Sequence, residues 1–145
     1  MQLMNHLKKT LKLNYNKNEM NKKFITDIKN QFRNKVIIIT GSTQGIGKET
    51  AKLFASRGAK AITICGRNES KGLQVKKDIE KIGSKCLYVK ADLAKVEDCR
   101  NVVYLTKKNF KTVHCLINVA GFTERGTILS TSLDNYEKNF NINTR

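Results

Sequence analysis

At 145 residues with 39% hydrophobic side chains, the chain is long enough for one domain with its own core. Its formal charge of +16 would suit a nucleic acid or an anionic surface, but 22 of its 28 basic residues are Lys, spread along the whole chain, with six Arg and no Trp, so the excess reads as compositional bias and no nucleic-acid partner is expected. No apolar run approaches the roughly 20 residues of a membrane span, and Cys65, Cys86, Cys99, Cys115, His6 and His114 show no zinc-ligand spacing, so no metal is expected.

Residues 1–34 carry eight Lys or Arg against two acids, with many Asn. Leu3, Leu7 and Leu11 could line one helix face, which leaves a mitochondrial-type presequence open. The Lys and Asn usage favours a disordered basic extension instead. Met20 offers an alternative start. Cys65, Cys86 and Cys115 sit in or beside apolar runs and read as core residues of a reducing compartment. A cytoplasmic location is the first expectation.

From Lys35 the pattern alternates between strands and helices. Val36–Thr40 is a β-branched run of buried-strand type. Residues 45–57 read as a helix with Ile46, Thr50, Ala51, Phe54 and Ala55 on one face and Gly58 as its stop. Ala61–Cys65 is a second strand. Residues 69–82 form a second helix with Leu73, Ile79 and Ile82 inward and Gly83 at its end. Cys86–Val89 is a third strand, and a third helix runs near 95–109, with Val96, Cys99, Val102, Val103, Thr106 and Phe110 at helical spacing. Val113–Ile117 is a fourth strand. Ser132 caps a last helix with Leu133, Tyr136 and Phe140 inward. This order predicts an α/β fold over 35–145: a doubly wound parallel sheet of Rossmann type, incomplete, in strand order 3-2-1-4. Its ligand crevice should lie above strands one and four, where the order reverses.

Thr40-Gly41-Ser42-Thr43-Gln44-Gly45-Ile46-Gly47 joins the first strand to the first helix. Gly41 allows a sharp turn, Gly45 lets backbone approach a diphosphate, and Gly47 lets the helix pack closely. The helix N-terminus then offers free N–H groups to phosphates.

The spacing T-G-x-x-x-G-x-G resembles that of the short-chain dehydrogenase/reductase family. Ala91-Asp92-Leu93 resembles the family's adenine-contact motif. Asn118-Val119-Ala120-Gly121 resembles its N-N-A-G motif, with Val119 in place of the second Asn. Phe140-Asn141-Ile142-Asn143 resembles the stretch supplying the active-site Asn. The resemblance runs from about Asn34 to Arg145. It implies an oxidoreductase moving hydride between a nicotinamide cofactor and a small carbonyl or alcohol substrate. The implied cofactor-binding residues are Gly41, Ser42, Thr43, Gln44, Gly45, Ile46, Gly47, Arg67, Asp92, Leu93, Asn118, Ala120 and Gly121. Asn143 is the implied catalytic residue, with Asn141 a rival by register and a solvated helix Asn the plain alternative. Asp92 also suits a helix N-cap. Asn118 is expected to tie the fourth strand to neighbouring backbone. The loop at Glu124–Thr127 is expected either to touch substrate or to be plain loop.

The second strand ends Cys65-Gly66-Arg67-Asn68. An acid at its end would bind the ribose 2′-hydroxyl of NAD(H); a guanidinium suits the 2′-phosphate of NADP(H). NADP(H) is therefore expected over NAD(H), with an ordinary surface charge the alternative for Arg67. Many NADP-preferring family members also carry a basic residue where Gln44 stands.

Family catalysis uses a Ser and a Tyr-x-x-x-Lys after the N-N-A-G motif, and neither follows before Arg145. The literal match Tyr104-Leu105-Thr106-Lys107-Lys108 precedes the fourth strand and is rejected. The expectation is a cofactor-binding half, itself inactive, of a protein that forms homo-oligomers at full length. A non-catalytic dinucleotide-binding or regulatory module is the alternative.

Overall fold

The computed structural model describes residues 22, 23, 25 and 27–144. The proposed Leu3–Leu7–Leu11 face and the Met20 start lie outside them. The chain order is β1 (Val36–Ile39), α1 (Gly45–Ser56), β2 (Ala61–Gly66), α2 (Glu69–Ile82), β3 (Lys85–Lys90), α3 (Val96–Phe110), β4 (Cys115–Ile117) and α4 (Leu133–Asn143). The four strands form one sheet in the order β3-β2-β1-β4, as the alternating pattern predicts. The pairings between these four strands are parallel: Ile37 opposes Ile62 on one side and Cys115 on the other, and Ile62 opposes Cys86.

Side-chain alternation in β1 sorts the core into two layers. Ile37 and Ile39, with Ile62 and Ile64, meet Ala51 and Ala55 of α1 and Val75 and Ile79 of α2. Ile38 points the other way and joins Cys65, Val89 and Val102 beneath α3. There the hydroxyls of Thr63 and Thr106 pair at 2.9 Å, so neither is buried without a partner. Helices thus cover both faces. The segment before β1 also packs on this body. The Phe32 N–H donates to the Arg57 carbonyl, Arg33 bridges Ala59, and the Phe32 and Phe54 rings lie 4.4 Å apart.

Local chemistry sets the helix ends. Asn68 accepts from the Lys71 N–H to open α2, and Gly83, at φ +116°, closes it. Ser132 caps α4 by accepting from the Asn135 N–H.

The expected inward faces need correction. The buried stripe of α1 is Gly47, Ala51 and Ala55, while Ile46 is 78% exposed. Small residues let α1 lie close to the chain beneath it, and Ile46 falls outside that contact. In α2 the buried residues are Gly72, Val75 and Ile79; Leu73 and Ile82 are exposed. In α3 Val102 and Thr106 are buried, but Val96 and Val103 are exposed. None of α4 is buried: Leu133, Tyr136 and Phe140 are all exposed, because no described element covers that side. Among the described residues β4 pairs with β1 alone; it is shorter than expected and leaves Leu116 half exposed.

Candidate cofactor-binding site

A crevice of about 340 Å³ opens at the C-terminal ends of the strands. Gly41, Thr43, Gln44, Gly45, Ile46, Gly47, Arg67, Asp92, Leu93, Ala120 and Gly121 all line it. Two other expected residues are placed elsewhere. Ser42 is fully buried, its hydroxyl donating to the Ile39 carbonyl at 2.6 Å and accepting from the Cys65 N–H at 3.0 Å. Its side chain fastens β1 to β2. Asn118 is exposed and lines an adjoining hollow of about 360 Å³, together with Asn143.

The turn into α1 is shaped by what its glycines meet. Gly41 sits at φ +60°, and a Cβ there would come within 2.7 Å of the Ala120 backbone. A side chain at Gly47 would strike the Gly41 carbonyl, so α1 packs against its own entry turn. Gly45 differs. At φ +55° it also needs glycine, but a Cβ there would meet nothing within 4 Å.

The start of α1 is electrostatically unusual within this fold. Its N-cap residue, Gln44, makes no side-chain cap and its first turn carries no acid. The first amide bonded within the helix is that of Lys48, to the Gln44 carbonyl. By contrast α2 and α4 have side-chain caps and an acid, and α3 has Glu97 and Asp98. The amides of Gly45, Ile46 and Gly47 therefore bring the positive end of the helix to the crevice without internal compensation.

Sequence reasoning missed the brace on the far wall. The Thr40 hydroxyl accepts from the Val119 N–H at 3.0 Å and the Ala120 N–H at 3.1 Å, tying the end of β1 to the loop after β4. Asn118 had been expected to make such a tie. The strand-end hydroxyl in Thr40-Gly41 was the available signal. Gly66, Ala91, Val119, Phe122 and Ile142 also line the crevice. Phe122 and Ile142 meet there because the Asn143 carboxamide accepts from the Phe122 N–H at 2.9 Å and donates to its carbonyl at 2.7 Å.

At the β2 end, the Gly66 carbonyl accepts from the Tyr88 hydroxyl at 2.9 Å and the Ala91 N–H at 3.2 Å. Burial, with the Glu69 carboxylate and Cys65 adding to it, raises the Tyr88 pKa and keeps that hydroxyl a donor. Arg67 thus leaves a fixed backbone position for the crevice rim. Asp92 forms a tight turn before α3: its Oδ1 accepts from the Ala94 N–H at 3.2 Å, and its own N–H donates to Asp98 at 2.7 Å. The N-cap of α3 is Lys95. Behind the turn, burial pushes the Cys65 thiol up to about 11 against a smaller opposing effect of the Gly41 backbone. Tyr104, the rejected motif match, is exposed on α3 and does not line the crevice. Among the described residues, no group of three or more His, Cys, Asp or Glu could hold a metal, and no helix is long and apolar enough to cross a membrane.

The comparisons agree with this geometry. A family model described as short chain dehydrogenase matches residues 35–145. An uncharacterised oxidoreductase of Thermotoga maritima is 35% identical over 114 residues, covering 79% of this chain and 44% of that protein. The mitochondrial (-)-isopiperitenol/(-)-carveol dehydrogenase of Mentha piperita is 34% identical over 113 residues, covering 77% and 42%. The chain spans less than half the length of these relatives. Among solved structures, the NADH-dependent reductase A1-R′ complexed with NAD aligns with a TM-score of 0.74 at 26% identity, over 81% of this chain and 49% of that one. A Serratia marcescens short-chain dehydrogenase/reductase aligns with a TM-score of 0.76 at 27% identity, over 79% and 46%. Crevice, sheet order and sequence match converge: the chain belongs to the short-chain dehydrogenase family.

Proposed function

We propose that the crevice binds NADP(H) and that the chain supplies the cofactor-binding half of an oxidoreductase acting on a carbonyl or alcohol substrate. The observation that carries this reading is the start of α1, uncapped by a side chain, free of acids and open to the crevice at Gly45. A diphosphate would complete its first-turn amides. Asp92 has one carboxylate oxygen to accept from an adenine amino group, and Ala120 and Gly121 leave room for the nicotinamide ribose. When bound, the cofactor supplies or accepts the hydride.

NADP(H) is favoured by charge and by space. Arg67 lines the crevice at the end of β2. A carboxylate in place of Gly66 would need its Cβ 2.8 Å from the Thr43 side chain. The family Ser and Tyr-x-x-x-Lys would complete the chemistry in the whole protein. Asn143 would act there as a positioning residue. Its carboxamide is held on the Phe122 backbone, and by family resemblance the residue would order a water in the proton relay.

Titration with NADPH and NADH tests the proposal. Arg67→Glu should weaken NADPH binding far more than NADH binding. An equal loss for both would refute the NADP(H) assignment.

A further inference from the structure

We propose that Lys71 is a second specificity-determining cation, gripping the 2′-phosphate of NADP(H) together with Arg67; this rests on the NADP(H) reading above. Lys71 lies in the first turn of α2, where its N–H donates to Asn68 Oδ1 at 3.0 Å. Its Nζ reaches across 27 residues of sequence to donate to Gln44 Oε1 at 2.7 Å. Gln44 lines the crevice beside Gly66 and Arg67. Lys71 is not itself a lining residue, but this exposed bond sets its ammonium against one that is, beside the crevice edge that would take the adenosine ribose of a bound dinucleotide.

Helix stability does not account for a cation there. The first turn of a helix favours anions, and an ammonium at that end is a small cost. Lys71 makes no ion pair among the described residues, since Glu69 in the same turn pairs with Lys90 at 3.6 Å. Its acceptor is a neutral amide. A phosphate dianion between Lys71 and Arg67 would supply the missing charge and replace a neutral hydrogen bond by charge-assisted ones. Position 66 is glycine, so the β2 end itself carries no carboxylate, and Glu69 nearby is paired with Lys90.

Calorimetric titration of the full chain with 2′,5′-ADP against 5′-ADP, and with NADPH against NADH, isolates the 2′-phosphate. Lys71→Met should weaken 2′,5′-ADP and NADPH binding by about tenfold and leave 5′-ADP and NADH within about twofold. Lys71→Arg should retain the discrimination. A residue that merely tethers the turn would weaken all four ligands alike, and that result overturns the proposal, as does no loss at all. If Arg67→Glu removes discrimination while Lys71→Met preserves it, Lys71 fails and the NADP(H) reading stands. If the unaltered chain does not discriminate, both fail.

Discussion

The Asn143 carboxamide closes on the Phe122 backbone from both sides, accepting from its N–H and donating to its carbonyl. This pair spans 21 residues and fixes the end of α4 against the loop that follows β4. Asn143→Ala should cost about 1 kcal/mol, because the contact is solvent-exposed and water replaces part of it. Hydrogen exchange is the sensitive readout: the Phe122 amide should exchange several-fold faster, with the β1 amides unchanged. Unchanged exchange at Phe122 would count against a positioning role.

Thr40 makes a sharper case because it is nearly buried. Thr40→Val keeps the shape and removes the acceptor for the Val119 and Ala120 amides. A loss of about 1–3 kcal/mol in urea unfolding is expected, with Thr40→Ser close to the parent.

Gly45 and Gly47 should lose binding for different reasons when the same methyl is added. At Gly47 it collides with the Gly41 carbonyl, so Gly47→Ala should destabilise the fold by about 1–3 kcal/mol and abolish binding with it. At Gly45 the methyl meets open space, and the cost is the positive φ, about 1 kcal/mol. Gly45→Ala should therefore melt only a few degrees below the parent yet bind NADPH poorly. Thermal melts beside titrations separate the two.

The buried thiols give a pH-dependent signature. Burial pushes Cys65 up to about 11 and Cys86 up to about 12, so at pH 8 both should resist alkylation until the chain unfolds. Because the folded state favours the neutral thiol, their contribution to stability is intact below the unfolded value of 9.0 and falls as pH rises toward 11–12. Mass spectrometry after brief alkylation at pH 8 checks the first point. Rapid native-state labelling of Cys65 would contradict the burial seen behind the turn.

Much of this architecture is written in local signals. The bounds of α2 agree with expectation because Asn68 and Gly83 mark both ends by side-chain capping and by positive φ. The sheet order follows from repeated βαβ crossovers of one hand. Burial was less legible. Periodicity shows that Leu73, Ile82, Tyr136 and Phe140 share helix faces, but not whether anything covers those faces, and they are exposed. The glycine turn was readable from its spacing. Thr40 offered a strand-end hydroxyl as a signal, but its partners lie 79 or 80 residues away and the Lys71 partner 27 away, and these pairs are brought close only by the sheet and the packing of α2 beside α1.

On the proposed reading, the amides opening α1 receive the diphosphate of a nicotinamide dinucleotide. Backbone amide NMR shifts of the chain during NADPH titration test it most directly. The largest saturable changes should fall on Gly45, Ile46 and Gly47, with Arg67 side-chain signals moving for NADPH more than for NADH. Saturable binding that leaves those three amides unmoved, or no binding at all, would contradict the account.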